Sequence, residues 1–311
     1  MKNEKGKILI AGGTGLVGTI LREYFEKKGK AVFILTRNQK NKSRYLRWDP
    51  AQDFIDPRIS NLKFDTVINA TGAGIADARW STKRKKILRD SRIIPVQFLW
   101  KLIRQEQLYT RDFICISAVG IYGNRKNPVN ELDPPAQEDD FLSGLCKEWE
   151  MTFIENALPD ITISILRLGV VISPKGGFIK PFLFPVRMMA APYFGKGNNH
   201  ISWIHEADLA AAAFSIIEES KENRKKIYNL TSPFPVTSAD FSKTMKKIFN
   251  PWAIRFPVPE WTLNLIFGEM KTAILSDSQV IPFHLEKMNY NFQLPEIYDA
   301  LLRTKSDLEK K

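Results

Sequence analysis

Four glycines carry the first chemical signal in this sequence. Gly12, Gly13, Gly15 and Gly18 follow the apolar run Lys7–Ala11 and satisfy both Gly-x-x-Gly-x-x-Gly and Gly-x-Gly-x-x-Gly. An early glycine permits a tight turn at the end of a strand. Gly15 lets the backbone approach a pyrophosphate, and Gly18 lets the next helix sit close to the sheet. The amides at the start of that helix then face the phosphates. Downstream, Arg37 follows a second strand-like run, Ala31–Thr36, and no Asp or Glu occurs between Gly29 and Trp48. An acid there would bind the ribose 2′-hydroxyl of NAD, whereas an arginine suits the 2′-phosphate of NADP. The residues therefore predict NADP(H), with Arg37, joined by Arg22 or Lys40, on the phosphate.

These residues need elements to hold them. Strand-like runs fall at Lys7–Ala11, Ala31–Thr36, Asp65–Ala70, Arg111–Ser117 and Thr162–Leu168. Helical periodicity falls between them at 15–28, where Leu16, Val17, Ile20, Leu21, Tyr24 and Phe25 share a face, and again at 82–105 and 140–157. Alternation of this kind predicts an α/β fold, a doubly wound parallel sheet with crossover helices on both faces. Its strand ends after 11, 36, 70, 117 and 168 then line the one edge where ligands bind. From 171 to 199 the chain is rich in Pro, Gly and Phe and reads as loop and short helix over a pocket, with Gly176-Gly177 giving it flexibility. An alanine-rich helix at 208–219 and a strand at 226–230 return to the sheet. The Pro-punctuated remainder predicts a small, mostly helical cap. The expected division is a Rossmann domain over 1–231 and a C-terminal domain over 232–311, with a frayed tail from Lys305.

Composition narrows the classes. The chain has 311 residues, 44% hydrophobic and 26% charged, with a net charge of +12. That is ordinary for a globular protein. The positive charge clusters only at 83–92 and 221–226, and no aromatic-interleaved nucleic-acid module stands out. An anionic substrate or cofactor accounts for the basic balance without nucleic acid. No apolar run spans a bilayer and the N-terminus is a strand rather than a leader, so no membrane partner is expected. Two separated cysteines, Cys115 and Cys146, make no disulfide framework and point to a reducing cytoplasm. Three histidines show no metal-ligand spacing.

The motifs together resemble the extended short-chain dehydrogenase/reductases. More closely, they are similar to the atypical epimerase-family group, some of whose bacterial members carry a cell-division-inhibitor label. The likeness runs through 12–18, Thr36-Arg37, Asn69–Ile75, Arg79-Trp80, Ser91-Arg92, Ser117–Gly123, Phe141–Glu150, Arg167–Val171, Ser202–His205, Asn229–Thr237 and Gly268-Glu269-Met270. The resemblance implies that Gly12, Thr14, Gly15, Leu16, Val17, Gly18, Thr36, Arg37, Ala70, Thr71, Gly72, Ser117 and Arg167 border the cofactor. It also implies a nucleoside-diphosphate-sugar epimerase or carbonyl reductase, in a family whose members often dimerise.

Ordinary members use Tyr-x-x-x-Lys on a helix to move a proton at the substrate oxygen. Counting back from Glu150, those two positions hold Leu142 and Cys146 here. Neither can do that work. The usual active-site Asn corresponds to Arg92. In the atypical group these departures are characteristic.

Each remaining candidate has two readings. Ser117 orients a substrate oxygen or caps a turn. Tyr122 replaces the missing acid or packs in its turn. Cys146 is a thiol activated by Arg92, or a small residue leaving room for the ribose. Arg92 polarises the substrate oxygen or sits on a solvated face with Lys85 and Arg89. Arg79 and Trp80 clamp substrate or anchor a loop. His205 bonds substrate or a backbone carbonyl. Two functions follow: hydride exchange with NADP(H) at a small molecule's carbonyl or alcohol, or non-catalytic sensing of NADPH.

Overall fold

The computed structural model describes residues 6–38, 42–137, 140–219 and 225–310. Eight strands form the main sheet: β1 (Lys7–Ala11), β2 (Ala31–Thr36), β3 (Tyr45–Asp49), β4 (Phe54–Ile55), β5 (Thr66–Asn69), β6 (Asp112–Ala118), β7 (Thr162–Leu168) and β13 (Lys225–Leu230). Their order is β13-β7-β6-β5-β1-β2-β3-β4, and only β4 runs antiparallel to its neighbour. The chain leaves β1 toward β2 and β3, then returns to β5 on the other side of β1. That reversal makes a topological switch point, and the carboxyl ends of β1 and β5 open onto it. Strands β3 and β4 are additions to the expected set. They are short and lie at the rim, and their run Tyr-Leu-Arg-Trp-Asp is too polar to announce a strand.

Alternation along the strands assigns the faces. From β1, Leu9 and Ala11 point to one core; Ile8 and Ile10 point to the other. The first core is closed by α2 (Thr82–Arg104) and α3 (Phe141–Glu155), with Trp100, Phe113 and Phe153 packed together. The second is closed by α1 (Leu16–Lys27) and the alanine-rich α5 (Glu206–Glu219).

The segment expected as loop and short helix holds a short helix, α4 (Lys180–Arg187), and adds strands to it: β8 (Val170–Ser173), β9 (Gly176–Gly177) and β10 (Ala190–Phe194), followed by β11 (His200–Ile201) and β12 (Trp203–His205). Beyond β13 come β14 (Val236–Thr237), α6 (Ser238–Phe249), β15 (Ile254–Val258), α7 (Glu260–Phe267), α8 (Lys271–Ile274), α9 (Phe283–Lys287) and α10 (Ile297–Glu309). A third core joins the two regions, with Ile172, Phe182 and Trp203 packed beside Phe241, Met245 and Leu301. The expected frayed tail is a correction: α10 runs on to Glu309, Thr304 is fully buried, and Lys305 Nζ donates to Ile248 O at 2.9 Å. The apolar stripe Ile297, Ala300, Leu301 ties it down.

Candidate active site at the carboxyl edge of the sheet

The loop after β1 is shaped by what a side chain would strike. Gly12 has φ +79, and a Cβ there would lie 2.4 Å from Ala70 O. A Cβ at Gly18 would lie 2.3 Å from Gly12 O, and one at Gly13 2.3 Å from Ile34 Cδ1. Only Gly15 faces space, with Gly12 O the nearest atom at 3.4 Å. Packing thus requires three of the glycines, and access is the use of the fourth. Gly15 precedes α1, which has no side-chain cap and no acid in its first turn. Thr14 and Gly15 are exposed, so the amide end of α1 is open to an anion.

At the end of β2, Thr36 is buried and its Oγ1 accepts from the Asn38 amide at 3.3 Å. Arg37 is exposed. Arg22 is committed elsewhere, donating to the Tyr45 hydroxyl at 2.8 Å. Lys40 lies outside the described residues. At the end of β5, buried Asn69 accepts through Oδ1 from the Thr71 hydroxyl at 2.7 Å and from the Thr71 amide at 3.3 Å, folding the loop Ala70–Gly72.

Arg92 closes over this loop. It donates to Leu88 O at 2.9 Å and Ala73 O at 3.2 Å, and its guanidinium carbon is 5.2 Å from the Trp149 ring centre. A Cβ on Gly72 would lie 3.1 Å from that carbon. Among the described residues it has no carboxylate partner. Burial lowers its pKa; the Cys146 thiol works the other way, and Arg84 adds to the lowering.

The hydroxyls expected at the substrate are instead spent inside the protein. Residues 113, 115 and 117 of β6 all point to the face covered by α3, so Ser117 meets α3 and donates to Glu150 Oε1 at 2.6 Å. Arg167 is Ser117's register partner on β7 and shares that face. It donates to Glu150 at 2.9 and 2.8 Å and to the Tyr122 hydroxyl at 2.8 Å. Burial works to lower the Arg167 pKa, but the Glu150 carboxylate outweighs it and holds the guanidinium charged. Tyr122 is fully buried, donates to Asn229 Oδ1 at 3.0 Å, and burial raises its pKa. The backbone N–H of Asn229 in turn donates to Glu131 Oε1 at 2.7 Å.

These groups are thus engaged within the protein: the Ser117 hydroxyl on Glu150, the Tyr122 hydroxyl on Asn229, and Arg167 in an ion pair that braces Glu150. Cys146 is buried and its thiol is pushed up to about 12, by burial first and by Glu150 second, against the pull of Arg92. Leu142, one helical turn earlier, seats against the turn after β6, where a Cβ on Gly120 would meet its Cδ2 at 2.8 Å.

Trp80 and His205 take structural positions. Trp80 is buried, donates its Nε1 to Ile75 O at 2.9 Å, and packs edge-on against Phe141. It anchors its loop. His205 is buried at the start of α5, where its Nδ1 accepts from the Ala207 amide at 3.1 Å. Arg79 remains exposed, with its guanidinium beside Gly268, whose added Cβ would lie 3.1 Å from Nη2. Lys85 pairs with Glu269 in the same turn. Sequence reasoning missed Glu150, Asn229 and Glu131. The signal for Glu150 was present in the Cys146, Trp149, Glu150, Phe153 spacing, which buries a carboxylate on an apolar helix face.

Comparison with known proteins fits this geometry. Residues 8–231 match the NAD dependent epimerase/dehydratase family, and residues 258–303 match a domain of unknown function, DUF1731. An epimerase family protein of Mycobacterium bovis is 32% identical over 94% of this chain and 96% of its own length. A chloroplastic epimerase family protein of Arabidopsis thaliana is 28% identical over 96% of this chain and 87% of its own. The crystal structure of human epimerase family protein SDR39U1 with NADPH superposes with a TM-score of 0.86 at 25% identity, covering 97% of this chain and all of that one. The glycine loop at the switch point, the winding of the sheet and the matched length agree, and the chain belongs to the NAD dependent epimerase/dehydratase family.

Proposed function

We propose that this protein binds NADP(H) at the carboxyl edge of its main sheet and acts on a small anionic substrate, as a carbonyl reductase or a nucleoside-diphosphate-sugar epimerase. Arg92 carries the reading. It is a partly buried guanidinium against Gly72, with no carboxylate partner among the described residues. A cation partly withdrawn from water without a counter-ion favours a ligand that brings negative charge.

The residues fit the cofactor. The open amide end of α1, with Thr14 and Gly15, would hold the pyrophosphate; Gly12 and Gly18, whose Cβ atoms would strike backbone, allow the turn that shapes this cradle, and Gly15 leaves it open. Exposed Arg37 favours a 2′-phosphate, and the human relative crystallised with NADPH supports that choice. When bound, the nicotinamide supplies or accepts a hydride. Arg92 would stabilise charge developing on the substrate oxygen, acting electrostatically because a guanidinium keeps its protons. Arg79, exposed beside Gly268, is the second cation available to an anionic substrate group.

A second reading, a non-catalytic NADPH-binding protein, is favoured by one observation: the Ser117 and Tyr122 hydroxyls are both engaged within the protein. Calorimetric titration with NADPH and NADH, followed by a turnover screen of anionic carbonyl compounds, separates the two. The catalytic reading expects preference for NADPH and turnover that Arg92→Met lowers by about 10²–10³-fold. Tight NADPH binding with no turnover would favour the sensor. Absence of binding by either nucleotide would overturn both.

A further inference from the structure

A second surface uses none of these residues. At the C-terminal end of α4, Phe184, Met188 and Met189 are 73%, 66% and 52% exposed, and beside them Trp252 and Ile254 are 81% and 67% exposed. The two segments are fastened together. Ile254 N donates to Met189 O at 2.8 Å, Asn250 Nδ2 donates to Val186 O at 3.1 Å, and β15 pairs with β10 from Ala190 and Ile254 onward. Their undersides, Phe182, Val186, Ile248 and Ala253, are buried in the third core. The result is a rigidly mounted apolar tip, larger in its side chains than scattered surface residues explain.

Its charge is one-sided. Segments 180–196 and 243–258 contain seven Lys and Arg and no Asp or Glu. None of the seven forms an ion pair with a described residue. A second copy of the chain docked here would oppose two cationic faces. An anionic bilayer satisfies both features, because aromatic and Met side chains enter the headgroup boundary while Lys and Arg reach the lipid phosphates. Among the described residues no helix is long and apolar enough to cross a membrane. We infer that this tip is a peripheral docking surface for anionic lipid bilayers, with Trp252, Phe184 and Met188 entering the interface and Arg187 and Lys247 meeting the headgroups.

Co-sedimentation of the full chain with vesicles tests this, using phosphatidylcholine alone and phosphatidylcholine with about 30% phosphatidylglycerol. The expected result is binding only to the anionic vesicles. Trp252→Ser with Phe184→Ser should weaken it about tenfold or more, as should Arg187→Glu with Lys247→Glu. All four positions are exposed, so the fold should be retained. The Trp252→Ser and Phe184→Ser pair should leave melting unchanged. The charge reversals should lower it only slightly, since Lys247 lies over the Tyr298 ring and both cations end helices. No binding to either vesicle overturns the proposal. So does binding that ignores the apolar pair and follows the charges alone, since that is a diffuse basic surface. A Trp252-dependent dimer in solution would assign the tip to a second copy and overturn it as well.

Discussion

Cys146 and Arg92 differ in their surroundings: Cys146 is packed among Ile121, Tyr122 and Val129, whereas Arg92 lies against the Ala70–Gly72 loop. Burial and Glu150 keep the thiol neutral, pushed up to about 12. In the folded protein Cys146 should resist iodoacetamide at pH 7–8, reacting only once denaturant is added. Peptide mass spectrometry reads this directly, and rapid native labelling would restore the activated-thiol reading. Arg37 stands at the other end of the site. Arg37→Glu should weaken NADPH by about 2–3 kcal/mol while changing NADH far less, since a charge-assisted phosphate contact is replaced by repulsion. Equal losses for both nucleotides would remove Arg37 from the 2′-phosphate. At this scale the glycine loop was legible because each glycine answers a steric demand that spacing encodes. The fate of Ser117, Tyr122 and Arg167 was not legible from residue type. It follows from strand parity and register, which bring Ser117 and Arg167 to one carboxylate.

At the scale of elements, the long strands and helices of the sheet were readable because their apolar runs are buried on both faces. The rim strands β3 and β4 and the pieces β8–β12 were not: β3 is interrupted by polar residues, β10 carries a proline, and β4, β9 and β11 are two residues long. The opposite edge of the sheet offers a separate test. Asp112 opens β6 in a half-buried cleft of about 540 Å³ that also contains Asp65, Arg111 and Thr162. Burial raises its pKa from 3.8 to about 6; Arg111 opposes the shift and Asp65 adds to it. A carboxyl whose pKa is raised on folding contributes most below its unfolded pKa, and that contribution is lost as pH climbs through the folded value. Asp112→Asn should therefore stabilise the protein by about 1 kcal/mol at pH 7.5, a figure reduced for solvent screening of a half-exposed group. The gain should shrink between pH 6 and 4 and vanish below. Paired thermal melts across that range would show it; a gain that persists at pH 3.5 would have another origin.

For the whole molecule, the third core joins two regions of the chain. Ile172, Phe182 and Trp203 pack on Phe241, Met245 and Leu301, so the regions on either side of residue 231 share buried surface. The chain ended at 231 should expose those side chains, bind a hydrophobic dye and lose cooperative melting. A sharp melt from that fragment would show the boundary to be autonomous. The chain of bonds from Ser117 through Glu150, Arg167, Tyr122 and Asn229 to Glu131 spans β6, α3, β7, the turn after β6, β13 and the loop before α3. Glu150→Gln leaves Arg167 charged and unmatched, at a cost of about 3–5 kcal/mol, whereas replacing both by well-packed apolar residues should cost far less by urea unfolding. A single change at Glu150 or Arg167 is therefore far costlier than a paired one, which ties the fates of the two residues together.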